Sequence, residues 1–151
     1  MVGKISNLIN LSNVLLTVIL IFILANLFSH KALAIPTFVD SFSISSQESN
    51  PSSVTFNNDG TKMFVLGFTG DDVNEYTLST GFDVSTASFV DSFSIASQEA
   101  APTGLAFNDD GTKMFILGQL GDDVNEYTLS SAYNLFDSTA PTLSSSTPAD
   151  N

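Results

Sequence analysis

After residue 35 the apolar positions follow a strand-like period of two, and no stretch keeps a helical spacing. Ser53 to Asn57 (SVTFN) puts Val54 and Phe56 on one face and Thr55 on the other. Lys62 to Gly67 (KMFVLG) is apolar on both faces, Met63 and Val65 one way, Phe64 and Leu66 the other. Such a strand must be covered on both sides, so it is predicted to be central. Val73 to Leu78 (VNEYTL) alternates Asn74, Tyr76 and Leu78 against Val73, Glu75 and Thr77. Ala87 to Ile95 (ASFVDSFSI) supplies a fourth strand carrying Phe89, Phe93 and Ile95. Asn58-Asp59-Gly60 and Gly70-Asp71-Asp72 fall between these runs and read as turns, Gly taking positive φ without steric cost.

The pattern occurs twice. Phe38 to Thr80 aligns with Phe89 to Ser131 at an offset of 51, and 31 of the 43 positions are identical. Gly81 to Ser88 (GFDVSTAS) joins the copies, and Ala132 to Ala140 (AYNLFDSTA) is a partial echo after the second. Four strands in a repeat of about 50 residues is the signature of a propeller blade. The expected fold class is therefore all-β: two four-stranded β-propeller-like blades, residues 38–88 and 89–137. A single such unit cannot bury its faces alone. Two cannot close a ring, which takes about four or more. The expected partners are thus further blades of the same chain or a homo-oligomer, and the chain is expected to be a fragment of a larger propeller. Phe38 to Ile44 repeats the fourth-type strand and is expected to be one ahead of the first full set.

The first 34 residues follow other rules. They hold no acid, open with Lys4, and run through Val14 to Phe28 (VLLTVILIFILANLF) to Ala32-Leu33-Ala34. Basic start, apolar core and small-x-small site are the order of a secretory signal, with Ala32 and Ala34 marking cleavage before Ile35. The alternative is an uncleaved anchor, since Leu8 to Phe28 is just long enough to span a bilayer. Either way the remainder is expected to be secreted or at the cell surface, meeting a membrane only through this segment.

Charge then narrows the chemistry. The 151 residues hold 16 acids and 4 bases, a net charge of −12, with no Cys, Trp or Arg. Residues 35–151 keep all 16 acids but only Lys62 and Lys113, a net charge of −14, and no His. Phosphate backbones would repel such a chain, so no nucleic-acid partner is expected. Without His or Cys there is no base for a Ser-His-acid triad and no usual zinc set. No catalytic residue is assigned.

Two resemblances add to this. Pro102-Thr103-Gly104-Leu105-Ala106-Phe107 and Asp110-Gly111-Thr112-Lys113-Met114-Phe115, followed by DDVNEYTLS, resemble the repeat of secreted bacterial β-propellers of the YVTN and lactonase-like type. The resemblance covers residues 38–131; in the first copy Ser53 replaces the Gly and Thr55 the Ala. It implies a propeller fold and is silent on activity. Ser138 to Asn151 (STAPTLSSSTPADN) resembles the linker that opens an S-layer-type bacterial immunoglobulin-like domain, or is a plain Ser/Thr/Pro linker.

Carboxylates are the remaining chemistry. Asp71, Asp72 and Glu75, with their counterparts Asp122, Asp123 and Glu126, are the candidate ligands for Ca2+, which takes six to eight oxygens. The competing reading is a solvated turn between strands. Acids recur at the offset of 51 in six pairs, and recurrence suits a structural or repeated-ion role better than a unique catalytic centre. The expected function is a secreted or cell-surface, non-enzymatic module, a scaffold for binding or adhesion to surface protein or glycan. The rival is a lactonase-like propeller hydrolase with a carboxylate-bound metal, most of its site in blades outside this chain.

Overall fold

The computed structural model describes residues 13–23, 35–137 and 140–146. The chain divides into two compact units, residues 1–38 and 39–151. In the first, residues 13–23 form a helix whose side chains are exposed. Thr17 Oγ1 donates to the Asn13 carbonyl oxygen at 2.8 Å within it. No helix among the described residues is long and apolar enough to cross a membrane. Ala32 and Ala34 lie outside the described residues.

Among its described residues the second unit holds eight strands in two antiparallel four-stranded sheets. The first sheet is β1 (Pro51–Phe56), β2 (Lys62–Gly67), β3 (Asp72–Leu78) and β4 (Ala87–Ser94), in that order. The second is β5 (Pro102–Phe107), β6 (Lys113–Gly118), β7 (Val124–Thr128) and β8 (Thr142–Ser146). Both are meanders, each strand pairing antiparallel with the next in sequence. Their registers correspond: Met63 pairs with Tyr76 as Met114 pairs with Tyr127, and each third strand bulges where it meets the fourth, at Glu75/Tyr76 and Glu126/Tyr127.

The turns explain themselves from the residues up. Gly60 and Gly111 have φ of 72° and 70°. Asp59 Oδ1 accepts from the Thr61 N–H at 3.0 Å and its hydroxyl at 2.6 Å, and Asp110 treats Thr112 likewise. These donors hold both carboxyls below the usual Asp range. A Cβ on either glycine would also strike an aromatic ring, Phe82 over Gly60 and Tyr133 over Gly111. Phe82 and Tyr133 themselves sit at φ of 61° and 54°, so each hairpin turn is capped by a strained aromatic from the loop after the third strand.

Two sequence expectations change. Phe38 to Ile44 forms no strand. A fourth strand pairs with the third strand of its own sheet, and no third strand precedes residue 38 among the described residues. Phe42 and Ile44 pack instead on the Met63, Val65, Tyr76 and Leu78 cluster, Phe42 meeting Tyr76 edge-on at 5.7 Å. The stretch 138–151, read as linker or domain opening, contributes β8, which completes the second sheet in the position β4 holds in the first.

The larger core lies between the sheets, and the Met63, Val65, Tyr76 and Leu78 cluster forms a second one on the other face of the first sheet. One face of the first sheet (Phe64, Leu66, Val73, Phe93) packs against the opposite face of the second (Leu105, Met114, Ile116, Tyr127). Phe64 and Phe107 meet at a tilt with ring centres 4.7 Å apart, and Phe107 meets Tyr133 at 5.3 Å. β2 is buried on both faces, as its sequence predicts, whereas its near-identical counterpart β6 is buried on one only.

Candidate functional site

The charged residues fall into two places, set by strand parity. Asp72, Asn74 and Tyr76 project to one face of β3, Val73 and Glu75 to the other, because Leu66 pairs with Val73 and Phe64 with Glu75. The structure therefore brings Asp71 and Asp72 together at the β2–β3 turn and sends Glu75 to the core side. Asp122, Asp123 and Glu126 divide in the same way. Among the described residues, no group of three or more acidic or His side chains is arranged to hold a metal ion.

At the turn, Asp71 and Asp122 adopt left-handed φ of 46° and 49°. Asn74 Nδ2 donates to Asp72 Oδ1 at 2.7 Å, and Asn125 Nδ2 to Asp123 Oδ1 at 2.9 Å. Burial pushes the Asp72 carboxyl up, with the charges of Glu48 and Asp71 adding to it against the Asn74 and Ser92 hydrogen bonds. Asp71 Oδ1 and Tyr76 Oη are buried there without a hydrogen-bond partner. Burial and the Asp72 and Glu48 charges raise Tyr76, and burial with Asp123 pushes Tyr127 up to about 12.

Glu48 and Glu99, which the sequence marks only as recurring acids, organise this end of each sheet. Both are fully buried. Glu48 accepts the Asn50 N–H, and the Thr69 N–H lies 3.2 Å from its Oε2. Glu99 accepts from the Ala101 N–H at 2.5 Å, with the Leu120 and Gly121 N–H groups at 3.4 Å. Burial works to raise the Glu48 pKa, but the Thr69 hydroxyl and the Asn50, Thr69 and Gly70 N–H groups outweigh it and hold the carboxyl below its usual range. A Cβ on Gly67 or Gly118 would overlap these carboxyls, so the glycine ending each second strand makes room for the clamp. The signal was available in sequence as a Gln-Glu pair followed by a Gly at the same distance in both copies.

The second place is the seam between the sheets. Lys62 Nζ donates to Glu75 Oε1 at 2.7 Å and to the Tyr133 carbonyl at 2.7 Å. The Leu135 N–H donates to Glu75 Oε2 at 3.3 Å. Tyr133 Oη donates to Asn58 Oδ1 at 3.0 Å, and Asn58 Nδ2 to the Asp109 carbonyl at 2.8 Å. One ion pair thus joins the first repeat to the last connection of the second. Its counterpart, Lys113 Nζ to Glu126 Oε1 at 2.6 Å, is more exposed. The Lys113 and Ser144 donors hold Glu126 below the usual Glu range. The register alone implies both pairs, since Lys62 opposite Thr77 lies diagonal to Glu75.

Set beside known proteins, the chain matches no family model, no curated protein and no solved structure.

Proposed function

We propose that this chain is an exported, non-enzymatic repeat module of the β-propeller type, serving as a scaffold for binding or adhesion at the cell surface. The observation that supports it best is the use made of charge. The seam and turn acids recur in both repeats, and Glu48, Glu99, Glu75 and Glu126 each hold a backbone group or a lysine in place. Side chains committed to holding the sheets are poor general acids or bases. The net charge of −14 over residues 35–151 favours a solvated module facing outward. The face-to-opposite-face stacking of two meanders is the relation that adjacent blades need. Expression in a bacterial host, with N-terminal sequencing and surface protease accessibility, tests export; a chain starting at Ile35 outside the cytoplasm supports it, and a protected cytoplasmic chain overturns it. Glycan and surface-protein arrays test the scaffold reading, and lactone turnover above background would replace it with the hydrolase.

A second reading rests on Asp71 Oδ1, buried without a partner beside Asp72. In it the β2–β3 turns hold Ca2+. Millimolar Ca2+ then raises the melting temperature over EDTA, as any ligand of the folded state does; equal melting temperatures dismiss it.

A further inference from the structure

The seam between the two sheets is heterologous: it joins one face of a repeat to the opposite face of the next. Each repeat carries both faces, and among the described residues each end of the pair keeps apolar side chains in the open. Their exposure shows this residue by residue. Leu66 is 0% exposed and its counterpart Leu117 is 49% exposed; Val73 is 0% and Val124 is 42%. On the other face the order reverses. Leu105 is 9% exposed and Val54 is 57%; Tyr133 is 8% and Phe82 is 61%. At these positions what is open at one end of the molecule is the equivalent of what the internal seam covers, while Met63, Val65, Tyr76 and Leu78 of the first sheet's outer face are already buried, with Phe42 and Ile44 packed on them.

The polar part of the seam is also present at both ends. Lys113 and Glu126 are paired as Lys62 and Glu75 are. Phe82 and Val84 occupy the places of Tyr133 and Leu135, whose carbonyl and N–H complete the internal network.

We propose that the open ends of this chain join head to tail, the Leu117/Val124 face of one copy receiving the Val54/Phe82 face of a second copy. In that contact Lys113 Nζ meets the Phe82 carbonyl and Glu126 meets the Val84 N–H of the incoming copy. The β7 edge itself is taken by β8, and Phe42 of the incoming copy already lies on its own Tyr76 as Phe93 lies on Tyr127 in the internal seam. The contact is not self-complementary, so it builds a closed ring or an open array according to the rotation it imposes. The proposal rests on the repeats being equivalent stacking units and is independent of export or of any ligand.

Two variants of the full chain test it, Val54→Asp and Leu117→Asp, each at a half-exposed site. Far-UV circular dichroism confirms their folding. Sedimentation in a mild non-ionic detergent reads mass; association through residues 1–34 is common to all samples and cancels in the comparison. Wild type is expected to associate with rising concentration, and each variant alone to associate at least about 100-fold more weakly, because a carboxylate then faces an apolar surface. An equimolar mixture should recover one contact and stop at a pair, since each variant keeps the face its partner lacks. A mixture no heavier than its components, or variants that associate like wild type, overturns the proposal and leaves these faces to a partner of another kind.

Discussion

The two repeats are identical at 31 of 43 aligned positions, yet their second strands have different fates. In the first, KMFVLG is buried on both faces; in the second, KMFILG is buried on one. The strands have almost the same residues and the same register, so the difference comes from their neighbours. The first sheet packs Phe64 and Leu66 on the second, whose own Phe115 and Leu117 face meets no sheet among the described residues. The same holds for charge: Lys62–Glu75 is tied into the seam and largely buried, and Lys113–Glu126 is left towards solvent. Burial in this molecule belongs to the stacking of units rather than to any strand by itself.

Paired substitutions in the two repeats sharpen that comparison. Leu66→Ala should cost about 2–5 kcal/mol in chemical denaturation, because it opens a cavity in the seam. Leu117→Ala should cost less than about 1 kcal/mol, its side chain being half in solvent already. Equal costs would break the asymmetry. Lys62→Met comes next: it leaves Glu75 buried without its cation, at a cost of about 3 kcal/mol. Lys113→Met removes an exposed pair and should cost about 0.5 kcal/mol by the same measurement.

The buried clamp gives a smaller effect that both repeats should share. Glu48→Gln turns an acceptor into a donor beside backbone N–H groups and should cost about 1–2 kcal/mol near pH 7. The folded carboxyl sits below its ordinary value of 4.5. Its stabilisation is thus complete above that value and is lost as pH falls through the lower, folded one. Thermal melts of wild type and Glu48→Gln should therefore converge as the solution is acidified through this window. Asp72 carries the opposite sign. Its folded pKa lies above 3.8, so its charge costs stability above the folded value, and the cost vanishes below 3.8. Asp72→Asn should raise the melting temperature near neutral pH by a small amount that disappears in acid.

Much of this architecture was legible in the sequence. Period-two alternation marked the strands, Asn-x-Gly and Gly-Asp-Asp marked the turns, and the offset of 51 marked two equivalent units. Phe38 to Ile44 misled because its sequence is that of a strand, while a strand also needs an edge to pair with, and local pattern carries no information about the edge. β8 was hidden for the converse reason. Thr142–Ser146 is polar and exposed throughout, and only the free edge of β7 makes it a strand. The acid set was half legible: Asp71 and Asp72 share a turn, but the alternation that identified β3 also places Glu75 on the far side of the sheet. Glu48 and Glu99 were visible as repeated acids, and their role depends on a contact with Gly67 and Gly118 nearly 20 residues away in sequence.

The central claim is that the first sheet lies with its Phe64 face on the Phe107 face of the second. Aromatic ring NOEs in the isotope-labelled protein test this most directly. Cross-peaks joining Phe64 to Phe107 and Phe107 to Tyr133 are expected, from ring centres 4.7 and 5.3 Å apart. If the Phe42–Tyr76 and Phe107–Tyr133 contacts appear while no cross-peak joins Phe64 to Phe107, the sheets form but do not stack this way, and the account is contradicted.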